Sequence, residues 1–191
     1  MNLFDNTLRD GGNVVGHGFS LELTTSIIEG LLAAGIRDIE LGNCKGLGAY
    51  DQLGADKAPS DEEYFQLLQP YLSRGRIGMF LLSKCAKAEK IQKAAEAGLS
   101  FLRVGANAGD GESSVAAVKM VKAAGLTCRY SLMKAYVSTP AELADEAKML
   151  QAAGVDKITI MDSAGTMFPG SGSRRSRRDR LWSTRHGPIR R

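Results

Sequence analysis

The chain has 191 residues, 43% of them hydrophobic and 24% charged, which is ordinary globular composition with room for one sizeable core. No apolar run approaches the roughly 20 residues of a membrane-crossing helix, and the N-terminus lacks the basic-then-apolar pattern of a secretory leader, so a cytoplasmic protein is expected. The formal net charge is +4, yet residues 171–191 carry +7 and the rest of the chain −3, so the basicity that would suggest nucleic-acid binding lies in the tail alone.

The first apolar stretch, near 2–6, reads as a strand running into "DNTLRDGG" (5–12). A helix is predicted near 20–34, with Ser20 as its N-cap. A strand near 36–41 follows, then the loop "GNCKGLGAYDQLG" (42–54). Ser60, with Glu63 three residues on, forms a capping box for a helix near 61–73. The strand near 76–82 ends in "SKC" (83–85), and a helix near 87–97 leads to a strand near 100–104. "GANAGDGE" (105–112) lacks the Lys-Ser/Thr ending of a phosphate loop, so its glycines read as a turn before a helix near 112–124. A strand near 126–132 ends in "KAYVS" (134–138). Thr139 caps a helix near 140–153, with Pro140 at its first position. The last strand, near 156–161, runs into "DSAGTMFP" (162–169). Cys44, Cys85 and Cys128 are odd in number and share no CxxC spacing, so they read as reduced thiols rather than a disulfide frame or zinc site.

Four stretches repeat one pattern: "LAAGIRDIEL" (32–41), "AEAGLSFLRV" (95–104), "KAAGLTCRYSL" (122–132) and "QAAGVDKITI" (151–160). Each is Ala-rich, then Gly, then a strand-like run. Ala favours helix, Gly closes it in the left-handed conformation, and the apolar run reads as a buried parallel strand. The fold class is α/β, with either an open doubly wound sheet or most of a barrel. All the unusual loops follow strands, which places them on the edge where both architectures build their sites.

Arg9 and Asp10 are the first candidates on that edge. A carboxylate suits a hard divalent ion, and a guanidinium can grip a carboxylate or an enolate oxygen. The plainer alternative is a surface ion pair at a turn.

"DNTLRDGG" resembles the opening motif of the DRE-TIM metallolyases, a (β/α)8 superfamily. "IELGNCKGLGAYDQLG" (39–54), "SDEEYFQLLQPYL" (60–72) and "AKMLQAAGVDKITIMDSAGTMFPG" (147–170) are similar to its 4-hydroxy-2-oxo acid aldolase branch. The resemblance runs from about residue 2 to residue 170 and implies an incomplete TIM (β/α)8 barrel of six βα units over 1–170. It implies a lyase that splits a 4-hydroxy-2-oxo acid into pyruvate and an aldehyde. Asp10 would bind a divalent metal, Mn2+ or Mg2+. Arg9 would stabilise the pyruvate enolate, and Ser163 would contact the pyruvate unit. An acylating aldehyde dehydrogenase is the implied partner.

Two departures stand out. The branch carries a catalytic histidine three residues after the metal Asp; here that position is Asn13, and His17 is the candidate substitute or else an idle loop histidine. The family's His-x-His metal pair is missing, since His17 and His186 are the only histidines. Beyond Gly170 the sequence turns abruptly Arg- and Ser-rich. Three readings of 171–191 follow: a frameshifted or truncated reading frame, a basic arm for nucleic acid, or a short chain completed by a partner. A barrel stopped after six strands exposes sheet edges and invites pairing between copies or aggregation. Other functions held open are an acyl-CoA condensing synthase, a Schiff-base aldolase using Lys134 or Lys84, and a nucleic-acid-binding tail.

Overall fold

A computed structural model of the protein describes residues 3–167. Its strands are β1 (Phe4–Asp5), β2 (Asp38–Leu41), β3 (Arg76–Leu82), β4 (Phe101–Asn107), β5 (Thr127–Met133) and β6 (Lys157–Ile160). Its helices are α1 (Thr7–Asp10), α2 (Leu21–Ala33), α3 (Ala49–Gln52), α4 (Asp61–Leu68), α5 (Ala88–Glu96), α6 (Gly111–Ala123) and α7 (Pro140–Ala153). Every strand pairs in parallel with its neighbour in the chain, in the order β1-β2-β3-β4-β5-β6. A doubly wound sheet reverses its strand order at a switch point; a barrel does not. The unbroken order decides between the two architectures: this is an incomplete TIM barrel, with six parallel strands and helices alternating between them among the described residues. Residues 168–191 lie outside the described residues, and with them His186 and the basic tail.

The local signals act where the sequence places them. Ser20 Oγ accepts from the Leu23 amide at 3.3 Å. Ser60 and Glu63 form the reciprocal capping box, and so do Thr139 and Glu142, with Pro140 at the first helical position. The glycine of each repeat unit, at 35, 98, 125 and 154, has positive φ. The amide of the residue after each one folds back onto the helix, as Ile36 does to Leu31 O at 2.9 Å and Val155 to Leu150 O at 3.1 Å. One motif thus ends four helices and launches four strands.

The helix expected near 61–73 stops at Leu68 and gives way to a 3-10 turn at Gln69–Tyr71, and the end of β4 also moves. β4 continues through Asn107, so Gly105 lies within the strand and is not a turn residue. Its reason is space. A Cβ at Gly105 would run into the Phe80 ring, and one at Gly78 would come within 2.6 Å of the Phe101 ring.

Those two rings lie on the inner face of the sheet. The outer face packs Ile39, Ile77, Leu102, Val104 and Leu132 against helix residues such as Ile28, Ile91, Val118 and Leu150. The inner face stacks guanidiniums between rings. Arg9 lies over Phe80 at 4.7 Å, Arg103 over Phe80 at 5.1 Å and Phe4 at 5.5 Å, and Arg129 over Phe4 at 5.2 Å and Phe101 at 3.6 Å. Each flat cation thereby keeps a favourable contact after losing its water. Two carboxylates thread the stack: Glu40 between Arg9 and Arg103, and Asp38 between Arg76 and Arg129. Burial works against ionising Asp38, but hydrogen bonds from Arg76 and Arg129 outweigh it and bring its carboxyl to about 2.

Two outcomes follow. Gly125 has φ +79 and nothing within 4 Å of where a Cβ would sit, so G125A carries only the left-handed backbone penalty, about 1 kcal/mol by urea denaturation. The Asp38 carboxyl is depressed in the folded chain, so its stabilisation is complete above about pH 4 and is lost as pH falls toward 2. Urea midpoints measured from pH 5 down to pH 2 will fall in that window, and D38N will remove the part of the fall that this carboxylate supplies.

Candidate active site at the C-terminal rim

β1 is short, and Arg9 and Asp10 sit just past it on the single turn α1. Asn6 O closes the turn by accepting from the Arg9 and Asp10 amides at 3.1 and 2.8 Å. Asp5 accepts from the Thr7 amide at 3.0 Å and fixes the turn's start. The result sends adjacent side chains to different surroundings. Arg9 is buried, whereas the Asp10 side chain is 60% exposed.

The next glycines allow close approach rather than an unusual φ, since neither Gly11 nor Gly12 has a positive one. A Cβ at Gly12 would meet His17 O at 2.9 Å and Cys44 Cβ at 3.0 Å. The Cys44 amide donates to His17 O at 2.7 Å, and the His17 amide to Gly12 O at 2.8 Å. The 12–17 loop is therefore clamped against the loop after β2. That second loop is itself anchored. Asp61 accepts from the Gly48 amide at 2.8 Å, and Lys90 pairs with Asp51 at 2.7 Å.

Glu40 organises the site and has no solvent exposure. Its Oε1 accepts from Arg9 Nε at 2.8 Å and Arg103 Nη2 at 2.6 Å; its Oε2 accepts from Arg103 Nε at 2.6 Å. Arg103 Nη1 donates to Ser131 Oγ at 2.8 Å. Arg9 Nη1 donates to Asp10 Oδ1 at 2.7 Å. Arg9 Nη2 remains, buried and without a partner. A buried donor left unsatisfied is costly. Here it belongs to a guanidinium held rigidly on two sides, with an exposed carboxylate next to it.

The other candidates fall into two groups. His17 is half-buried beside the clamp, with φ +79 and an Nδ1 that is buried without a partner. A non-glycine residue held there is strained, and such strain collects at functional positions. Asn13, by contrast, faces solvent; its Nδ2 donates to Asp10 O at 2.9 Å and its Oδ1 accepts from Lys45 Nζ at 3.2 Å. Ser163 lies elsewhere on the rim, where its Oγ accepts from the Lys134 amide at 2.9 Å. Arg9 and Asp10 are thus brought together, His17 joins their loop, and among the described residues the Ser163 hydroxyl bonds to the Lys134 amide rather than to either of them. Lys84 and Lys134 are both exposed, whereas a Schiff-base lysine works from an apolar pocket. Burial pushes the Cys44 thiol up, away from the thiolate form.

The metal expectation meets its limit here. Among the described residues no three His, Cys, Asp or Glu side chains come together as a metal group. Mg2+ and Mn2+ favour octahedral oxygen-rich spheres, and one exposed carboxylate does not make that fit.

Glu40 and Arg103 were absent from the sequence-based candidates. The available signal was alternation: Asp38 and Glu40 in β2, and Arg129 and Ser131 in β5, occupy every second position of runs read simply as buried strands.

A family model described as HMGL-like matches residues 1–178. A 4-hydroxy-2-oxovalerate aldolase from Carboxydothermus hydrogenoformans is 32% identical over 167 residues, covering 87% of this chain and 50% of the relative. 4-hydroxy-2-oxovalerate aldolase 2 from Nocardia farcinica is also 32% identical, covering 87% and 48%. The chain spans about half the length of the curated relatives it matches. Among solved structures, the carboxyl transferase domain of Rhizobium etli pyruvate carboxylase with pyruvate and biocytin superposes with a TM-score of 0.75 at 15% identity. That match covers 95% of this chain and 34% of the other, and it speaks for the fold alone.

The Glu40 bridge yields its own prediction. E40Q leaves two buried guanidiniums short of their shared counter-charge, and stability should fall by about 3 kcal/mol in urea unfolding. R103K keeps the charge but loses the fork, and should fall between wild type and E40Q.

Proposed function

The chain belongs to the HMGL-like family, and from that premise we propose that its Arg9 rim serves an aldolase-type lyase that cleaves a 4-hydroxy-2-oxo acid to pyruvate and an aldehyde. The observation that carries the reading is Arg9 Nη2: a buried, fixed, unpartnered donor beside the exposed Asp10 carboxylate.

The chemistry asks for two groups. A base takes the proton from the 4-hydroxyl, the C3–C4 bond breaks to release the aldehyde, and its electrons move onto the 2-oxo oxygen as an enolate. Proton return to C3 then gives pyruvate. Arg9 Nη2 is the donor for the developing enolate charge. Its preorganisation by Glu40 and Asp10 means little reorganisation is needed as that charge appears. His17, strained and with a free ring nitrogen, is the base in this proposal, taking the place Asn13 cannot fill. Ser163 is assigned to the carboxylate end of the substrate. Asp10 is the carboxylate that would contribute to a Mn2+ or Mg2+ site, but the described residues do not complete one, so no step here runs through a metal. The aldehyde would pass to an acylating aldehyde dehydrogenase.

The test is steady-state cleavage of 4-hydroxy-2-oxopentanoate by the full chain, with and without added Mn2+. R9K keeps the charge and moves the donor, so kcat should drop about 100-fold with the fold intact by circular dichroism. H17N should lower kcat by about the same factor with KM little changed. Activity indifferent to both substitutions would refute the reading.

A further inference from the structure

We propose that the opposite, N-terminal mouth of the strands is a second binding site, for a small free oxyanion of the phosphate or carboxylate class. A pocket of about 290 Å³ opens there, lined by Arg76, Ser100, Phe101, Thr127, Arg129 and Lys157 together with Asp156. Arg76, Phe101, Thr127 and Lys157 are the first residues of β3, β4, β5 and β6, so the pocket lies at the far end of the inner face from Arg9.

Its charges do not cancel. Asp38 is the single carboxylate shared by Arg76 and Arg129, at 2.6 Å from each. Asp156 is already taken by Lys122 at 2.8 Å and by the Cys128 amide at 2.8 Å. Lys157 is exposed and forms no ion pair among the described residues. The cations around the pocket therefore outnumber the carboxylates, and the pocket carries a positive excess.

One donor is also vacant. The Arg129 side chain is 8% exposed, donates through Nη2 to Asp38, and has its Nε buried without a partner. Phe101, against the guanidinium at 3.6 Å, holds the plane in place. A planar guanidinium edge, an unpaired ammonium and the hydroxyl residues Ser100 and Thr127 are the groups that recognise a tetrahedral or planar oxyanion. A cationic ligand would meet the same positive excess. Nothing in this site depends on the aldolase reading, because it uses none of the residues assigned to the reaction.

The experiment is calorimetric titration of the full chain with inorganic phosphate, against potassium chloride of matched ionic strength. The expected result is a saturable one-to-one isotherm. K157Q, at an exposed position that the fold tolerates, weakens binding about fivefold. R129K, which retains charge but removes the Nε donor, weakens it about tenfold. Heat that never saturates, or affinity unchanged in K157Q, overturns the site. Apparent affinity that falls as protein concentration rises would identify a carboxylate from a second copy as the occupant and overturns the free-anion assignment.

Discussion

The shared carboxylate of Glu40 is the constraint on which the inner face depends. A barrel interior has no water to solvate three arginines, and a buried cation without a counter-charge is among the most costly features a fold can hold. Glu40 answers two of them at once, with both oxygens used and no solvent contact. Asp38 repeats the device one layer down, toward the strand starts. The rings between the layers do the rest, and they fit only because positions 78 and 105 carry no side chain. Glycine in a strand normally weakens it; here each one makes room for a phenyl ring that faces a guanidinium.

This arrangement leaves an imbalance. Arg9, Arg103 and Arg129 are buried on the inner face with Asp38 and Glu40 as their buried carboxylates, so one positive charge is in excess. The unsatisfied donors appear at the two ends of the stack, Arg9 Nη2 near the C-terminal rim and Arg129 Nε near the strand starts. The middle is saturated: Arg103 spends its donors on Glu40 and Ser131. The unpartnered donors of the stack thus sit toward its two ends rather than in its middle.

Much of the fold was legible because local and global signals agree. Ser20, Ser60 and Thr139 cap the helices as expected, and the repeated Ala-Gly-apolar unit marks each return to the sheet. The choice between barrel and doubly wound sheet was not legible, because hydrophobic periodicity is blind to which strand lies beside which. Arg9 and Asp10 stood out as an adjacent charged pair before two glycines. Glu40 did not, because "DIEL" and "FLRV" look like apolar strands unless their alternate residues are assigned to a polar lumen. Their meaning is non-local: Arg103 and Glu40 are 63 residues apart in the chain. The role of Gly12 was not legible, because its neighbour is the backbone of His17, brought there by the fold of the loop.

Charge totals hide this organisation altogether. Residues 1–170 carry a net −3, which by itself suggests repulsion of anions. Position reverses the inference. The excess positive charge is sequestered on the inner face, where the effective dielectric is low and a single uncancelled guanidinium acts strongly. The exposed acids, such as Asp145 and Glu62, are screened by water and salt and are partly answered by Lys148 and Lys93. At the strand starts, where Asp38 alone answers Arg76 and Arg129, the local balance is positive in spite of the net charge. The same logic separates Arg9 from Asp10. Buried and clamped, Arg9 is suited to holding a ligand's negative charge. Exposed and tied by one oxygen, Asp10 keeps the freedom of its second oxygen for whatever else comes to the rim.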